Sequence, residues 1–142
     1  MSMFSALEIS ASAMRAERLR AEVATSNLAN AETTRTEQGG PYQRKQVVFA
    51  ASRFQRQLGV TADLSNSSAV RVSNVVADPT PAQLRYEPSH PDANAQGFVA
   101  YPAINPVAEM ADLMSAVRSY QMNASAVNAT KQMIQQSLEI LK

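Results

Sequence analysis

The chain has 142 residues, a net charge of +1 and 18% charged residues of nearly balanced sign. This length suits one ordinary domain, and the charge balance does not indicate a nucleic-acid or anionic-membrane partner. The absence of cysteine excludes disulfides, thiol nucleophiles and cysteine-ligated zinc. No apolar run approaches the roughly 20 residues that span a bilayer. We expect no cleaved signal peptide, because Glu8 lies where such a peptide has an apolar core.

Glycine and proline divide the chain into three regions. All 4 Gly and all 7 Pro lie between Gly39 and Pro106. Both residues interrupt helices, so the two ends permit long helices and the middle does not. We therefore predict a mainly α fold with a small β insert. The predicted units are a helical segment at 1–34, a connector and β-rich domain at 35–104, and a helical segment at 105–142.

The first helix is predicted from residue 2 to about residue 31. Residues spaced three and four apart form one stripe along it, a pattern typical of a helix that packs on another helix. Arg18 also lies on this stripe. It either forms ion pairs within a solvated face or pairs with a carboxylate across an assembly interface. The predicted seam residues are Phe4, Leu7, Ala11, Met14 and Leu28.

Asn27 and Asn30 lie on one face near the end of this helix. Asparagine is unfavourable inside a helix, because its side chain competes for backbone hydrogen bonds. Two interpretations remain open at this stage. The asparagines either mark a fraying helix end or are buried amides that fix the helix register by hydrogen bonding.

The middle of the chain is predicted to hold a turn, a basic stretch and short strands. The sequence Gly-Gly-Pro at 39–41 must turn. Strands are predicted at 46–50, 69–76, 84–86 and 98–101, forming one small sheet of three or four strands that needs neighbours for stability. The basic stretch is either a solvated edge or a docking surface for an acidic protein. Its cations are Arg35, Arg44, Lys45, Arg53 and Arg56.

The second helix is predicted over 105–142. Asn105 can cap it, and Pro106 suits the first helical position, where no N–H is needed. A rod of this length measures roughly 54 Å, which exceeds the core of a small globule, so the helix needs a partner along its length. Its seam repeats at three and four residues, with Lys131 as its one polar member. The apolar members are Met110, Leu113, Val117, Tyr120, Ala124, Val127, Ile134, Leu138 and Leu141.

No catalytic, cofactor or metal site is predicted. His90 is the only histidine, and with Asp92 it offers two metal ligands without a third histidine or cysteine. The surrounding Ser-His-Pro-Asp-Ala-Asn sequence is typical of a turn. Neither a Gly-x-Ser-x-Gly nucleophile elbow nor a phosphate-binding glycine loop is present.

Several segments together carry a family resemblance. They are the asparagine-rich residues 24–34, Gly-Gly-Pro-Tyr-Gln-Arg-Lys at 39–45, His-Pro-Asp-Ala-Asn at 90–94, Asn-Pro-Val-Ala-Glu-Met at 105–110 and Arg-Ser-Tyr-Gln-Met-Asn at 118–123. The first segment resembles the motif of flagellar rod and hook proteins, and the whole set is similar to proximal rod proteins. The motif residues are Asn27, Asn30, Pro41, Tyr42, His90, Pro91, Asp92, Asn105 and Pro106.

The resemblance implies a structural subunit and not an enzyme. It implies terminal helices that pair antiparallel as a coiled-coil-like hairpin along the inner wall of a helical rod, with the β insert further out. The subunit would be exported unfolded through the flagellar type III apparatus, without a cleaved signal or membrane insertion, and would lie within the MS ring and periplasm. The implied partners are further copies, the rod proteins FlgB, FlgF and FlgG, the adaptor FliE, the MS-ring protein FliF and the rod cap FlgJ.

Three alternatives to this function remain. The chain could be another axial protein, of the distal rod or hook type. It could be a coiled-coil export adaptor, which would be strongly helical on its own. It could also be a secreted hydrolase that opens peptidoglycan, which would require a catalytic set that the sequence does not offer.

Overall fold

A computed structural model describes residues 3–53 and 68–140 of the chain. These residues form two long helices with four strands between them. The helices are α1 (Met3–Ala29) and α2 (Pro106–Ile140), and the strands are β1 (Lys45–Arg53), β2 (Ser68–Ala77), β3 (Gln83–Tyr86) and β4 (Phe98–Tyr101). The predicted order of elements is therefore confirmed. Among the described helices, none combines the length and apolar character that a membrane span requires.

Helix α2 begins where the sequence predicted. The N–H of Val107 donates to the side-chain oxygen of Asn105 at 3.0 Å, and the N–H of Glu109 donates to the Asn105 carbonyl at 3.1 Å. Asn105 is thus an N-cap: its side chain accepts from an N–H otherwise left free in the first turn, and its carbonyl accepts the first bond within the helix. Pro106 occupies the first helical position, as expected.

The two helices contact each other and run in opposite directions. Asn27, near the end of α1, bonds to Glu109 in the first turn of α2. Arg20, about two turns earlier in α1, pairs with Asp112, further along α2. The buried helical side chains are small or polar, which lets the backbones approach closely. They are Ser12, Ala16, Ala24, Asn27, Glu109, Ala116 and Thr130.

The strands form two separate two-stranded sheets, so the expectation of one sheet with three or four strands is wrong. Strand β1 pairs antiparallel with β2, from Lys45 opposite Ala77 to Arg53 opposite Ser68. Strand β3 pairs antiparallel with β4. Pro79 and Pro81 lie between β2 and β3 and have no N–H to extend a ladder, which accounts for the division.

We call the β1–β2 pair the ribbon. Its register shifts between Val48, which faces Asn74, and Phe49, which faces Val72. Ser73 is therefore an extra residue in β2, a β-bulge. The ribbon packs against α1, which also contacts α2, so α1 is the central element of the described structure.

In the β3–β4 hairpin, two residues of β4 are buried and all four residues of β3 are exposed. Val99 and Tyr101 are buried, whereas Leu84 and Tyr86 are exposed. Gly97 precedes β4 with a φ of +81°, a conformation that residues with a Cβ rarely adopt. A Cβ at this position would also lie 2.8 Å from a ring carbon of Tyr86, so both backbone and packing require glycine here.

Candidate functional site

The best-defined polar site is a buried junction where α1, β1 and α2 meet. At its centre lies Asn27, with 1% of its surface exposed. Its amide nitrogen donates to the Lys45 carbonyl at 2.8 Å and to Glu109 Oε2 at 2.9 Å. Its amide oxygen accepts from the Lys45 N–H at 2.9 Å and from the Tyr42 hydroxyl at 3.1 Å. Both donors and both acceptor sites of the amide are used, so the buried-amide interpretation of Asn27 is confirmed.

Glu109 connects this amide to an ion pair. It is 2% exposed, and its second oxygen accepts from Arg44 Nε at 2.6 Å. The Arg44 guanidinium also lies 3.4 Å from Asp78 Oδ2. Partial burial of Arg44 opposes its charge, but the bonds and charges of Glu109 and Asp78 outweigh this, so the Arg44 pKa is raised above its ordinary value. The buried carboxylate is therefore compensated on both oxygens.

The connector after α1 is tied to the same junction. Asn30 donates to the Ser26 carbonyl at 2.9 Å and accepts from the Thr33 hydroxyl at 3.2 Å. The Tyr42 N–H donates to the Thr33 carbonyl at 3.1 Å. Asn30 thus stabilises the turn that leaves the helix, a more local role than that of Asn27.

The predicted motif at 90–92 forms a second link to the connector. Turn bonds join the His90 N–H to the Glu87 carbonyl and the Ala93 N–H to the His90 carbonyl, which confirms the turn. His90 Nδ1 accepts from the Asp92 N–H at 3.1 Å, and Asp92 Oδ2 accepts from the Thr34 hydroxyl at 2.8 Å. This histidine and this aspartate therefore hold one loop against another.

The junction borders an open cleft of about 820 Å³ between α1, α2 and β1. Its charged walls include two cation–carboxylate pairs, Arg20 with Asp112 and Arg44 with Glu109. The hydrogen bond that Arg20 donates to Asp112 is the main reason that the Arg20 pKa is raised. Within 3–53 and 68–140, no three or more His, Asp or Glu side chains gather as a metal would require. The chemistry that this arrangement supports is structural: it fixes the angle between the helices and the ribbon.

None of the predicted seam residues that the structure describes is buried in the single chain. Phe4 is 75% exposed, Met110 52% and Val117 42%. Leu113, Ala124, Val127 and Ile134 are partly covered, as are Leu7, Met14 and Leu28, whereas Ala11, Tyr120 and Leu138 are exposed. Leu141 lies outside the described residues. The side chains buried between the helices lie beside these stripes, one position away at Ala116 and Glu109.

Arg18 and the basic stretch have ordinary local partners. Arg18 forms an exposed pair with Glu22 at 2.9 Å, which favours the solvated-face interpretation. In the basic stretch, Arg35 lies 3.8 Å from Asp92, and the Lys45 ammonium lies over the Tyr42 ring. Arg56 lies outside the described residues.

Sequence reasoning did not single out Glu109 or Arg44 as partners. Glu109 was one residue of the motif leading into α2, and Arg44 was one cation among five. The available signal was that Glu109 precedes the seam residue Met110 and is the one charged residue of the sequence Pro-Val-Ala-Glu-Met-Ala at 106–111. A charged residue in an apolar helical surface is a candidate for a buried pair.

Comparison with known proteins shows that this chain is similar to flagellar rod proteins along its whole length. The family model "Flagella basal body rod protein" matches residues 7–35, and "Flagellar basal body rod FlgEFG protein C-terminal" matches residues 95–140. The flagellar basal-body rod protein FlgC of Bacillus subtilis is 41% identical over the whole of both chains. The FlgC protein of Borreliella burgdorferi is 35% identical, over 100% of this chain and 99% of its own length. That of Escherichia coli is 37% identical, over 99% of this chain and 98% of its own length. The chain belongs to the FlgC family of flagellar basal-body rod proteins.

Proposed function

We propose that the chain is a structural subunit of the proximal rod of the bacterial flagellum, which polymerises helically and transmits torque. The observation that carries this proposal is similarity to FlgC proteins from end to end, at 35–41% identity. A shared fold alone would not assign a function, but similarity over full length covers the surfaces through which a subunit assembles as well as its core.

The exposed apolar side chains of the helices support assembly. Val107, Met110, Met114 and Val117 follow one another along α2 at spacings of three and four residues, and all are exposed. A stripe of this kind on a helix that already packs on α1 provides a second contact face. We infer that both predicted seams, including Leu113 and Val127 on α2 and Phe4 and Leu7 on α1, contact neighbouring subunits. Head-to-tail contacts of this kind produce an open filament.

We further propose how the regions divide the work. Segments 1–34 and 105–142 form the axial core, paired as a coiled-coil-like hairpin, and residues 35–104 form an outer layer. Neighbours would be further copies and other rod proteins (FlgB, FlgF, FlgG), with FliE, FliF and FlgJ at the base and cap. The subunit would reach the rod through the type III export apparatus, without a cleaved signal peptide, and lie within the MS ring and periplasm.

The proposed role does not include catalysis or a cofactor. The residues closest to a catalytic pair are His90 and Asp92. His90 Nδ1 accepts from the Asp92 N–H within a turn, and the Asp92 carboxylate accepts from the Thr34 hydroxyl of the connector. The charged groups of the junction are bound to one another in the same way. These contacts support a structural role for both sets of side chains.

A charge on the α2 stripe tests the proposal in a flagellated bacterium that depends on this chain for its rod. Val117→Asp should abolish rod assembly and swimming, because the carboxylate would lose its water at a subunit contact. The control is Ala129→Asp, the same charge at an exposed position of α2 outside the stripe. Swimming is measured in soft agar, and rods are counted in isolated basal bodies. Complete, rotating flagella in the Val117→Asp strain would contradict the proposal.

A further inference from the structure

We infer that α1 binds the outer edges of both ribbon strands, through Asn27 at β1 and Ser12 at β2, and thereby prevents an extended segment of a second copy from adding to the ribbon as a third strand. Ser12 and Asn27 are positioning residues in this role. The inference concerns the single chain, so it stands or falls separately from rod assembly.

At the β1 edge, Asn27 binds the backbone as a neighbouring strand would. Its side-chain amide donates to the Lys45 carbonyl at 2.8 Å and accepts from the Lys45 N–H at 2.9 Å. In an antiparallel ladder, alternate residues direct both backbone groups away from their partner strand. Lys45 is such a residue, because both of its groups meet Asn27. The side chain therefore occupies the position where an added strand would begin to pair.

At the β2 edge, Ser12 has the matching role. The Val70 N–H donates to the Ser12 hydroxyl oxygen at 3.1 Å, and the hydroxyl donates to the Ile9 carbonyl at 2.7 Å. Ser12 is buried, so no water competes for these bonds. The Val70 N–H consequently has no capacity left for an incoming strand.

The two anchor points lie at opposite ends of the ribbon. Lys45 pairs with Ala77 at one end, and Val70 pairs with Ala51 near the other. Helix α1 therefore crosses the ribbon diagonally, from the outer edge of β1 to the outer edge of β2. One helix thus contacts both edges, at one residue of each strand.

The ribbon needs this protection because of its composition and shape. Unpaired edges of β-rich segments are templates for pairing with another chain. Strands β1 and β2, of 9 and 10 residues, contain six valines and a phenylalanine, and Val48 and Val76 on the ribbon are exposed. Any assembly that concentrates copies of this chain brings such ribbons together. The most available occupant of a free edge is consequently the same strand of a second copy.

The test compares Ser12→Ala with Ser12→Thr in the full-length purified chain. Alanine favours the helix, so Ser12→Ala should keep α1 folded, and threonine retains the hydroxyl. In Ser12→Ala, the Val70 amide hydrogen should exchange about five-fold faster, because one buried bond is lost. The Lys45 amide serves as an internal control and should be unchanged. Ser12→Ala should also form oligomers in sedimentation experiments, with an intermolecular β band in the infrared spectrum, whereas Ser12→Thr should remain as the wild type.

Each other outcome overturns the inference. Equal rates of Val70 amide exchange in the wild type and Ser12→Ala would show that Ser12 does not hold the Val70 N–H. An unprotected Val70 amide in the wild type would show the same. Faster exchange without oligomers would disprove the blocking role. Oligomers of Ser12→Thr equal to those of Ser12→Ala would show that the hydroxyl is irrelevant.

Discussion

The two ends of α2 differ in how they are held. Near its start, Glu109 and Ala116 are buried and Asp112 pairs with Arg20 of α1. In its last described turns, at 131–139, every side chain except Ile134 is exposed. The first end is fixed within the chain by specific polar bonds, and the other presents Met133 and Leu138 to its surroundings. A subunit of a polymer needs both: one defined internal geometry and one surface left for neighbours.

The largest effect is expected from Glu109→Ala. This change leaves Arg44 without its main partner and frees one donor of the buried Asn27 amide. Breaking a buried pair on one side is costly, so the free energy of unfolding should fall by about 3 kcal/mol, measured in urea. Glu139→Ala, at an exposed position of the same helix, is the control and should change it by less than about 0.5 kcal/mol. Equal losses of unfolding free energy in the two variants would show that the start of α2 is not held more firmly than its end.

Glycine at position 97 provides the next test. Gly97 and Gly39 have similar φ angles, +81° and +85°, but only Gly97 has a side chain within contact of a Cβ. In both alanine variants, backbone strain should lower the free energy of unfolding by about 1 kcal/mol. In Gly97→Ala it should fall by about 1 kcal/mol more, because the Tyr86 ring must move. Thermal unfolding of the two variants measures the difference, and equal losses would rule out the close contact.

A smaller effect is expected from the ion pairs of α1. Arg20 with Asp112 joins two helices and is partly buried, whereas Arg18 with Glu22 lies on one helix at the surface. A double-mutant cycle to alanine should give about 1 kcal/mol of coupling for the first pair and about 0.3 kcal/mol for the second. Raising the salt concentration should reduce the second coupling more strongly. The reverse order would contradict the burial difference.

The smallest effect concerns pH. Bonds from the Thr80 hydroxyl and N–H, and then the Arg44 charge, lower the Asp78 pKa below its ordinary value of 3.8. The unfolded chain therefore takes up this proton more readily, so stability from Asp78 is present above 3.8 and is lost as the pH falls through the folded pKa. The urea midpoint of the wild type should fall more steeply below this pH than that of Asp78→Asn. Parallel curves for the two proteins would refute the assignment.

Local signals in the sequence were sufficient for the helices and strands. The Asn105–Pro106 pair defined the start of α2, and the predicted strand at 98–101 coincides with β4. The division into two sheets was missed because each strand was judged by its own residues, whereas pairing depends on which partner the chain can reach. The prolines at 79 and 81 lie between β2 and β3, which belong to different sheets.

The junction could be predicted only in part. Asparagine is unfavourable inside a helix, so the sequence of the helix end suggested a buried, hydrogen-bonded Asn27 as one of two interpretations. Its partners Lys45 and Glu109 are 18 and 82 residues away, and Arg44 is 65 residues from Glu109. No periodicity links residues at such separations, so their pairing became visible only once the chain was folded.

The bulge at Ser73 adds a residue to β2 without changing which residues face α1. Paired residues lie on the same face of an antiparallel ribbon, so Asn74 opposite Val48 and Val72 opposite Phe49 lie on opposite faces. Deleting Ser73 would make Val72 and Asn74 direct neighbours, which also alternate in a regular strand, so Val70 and Val72 would keep the face on which they line a pocket with Leu19 of α1. A one-residue deletion at Ser73 should therefore leave the helix packed on the ribbon, and its main consequence should be the loss of the local bend and extra twist that a bulge gives a strand.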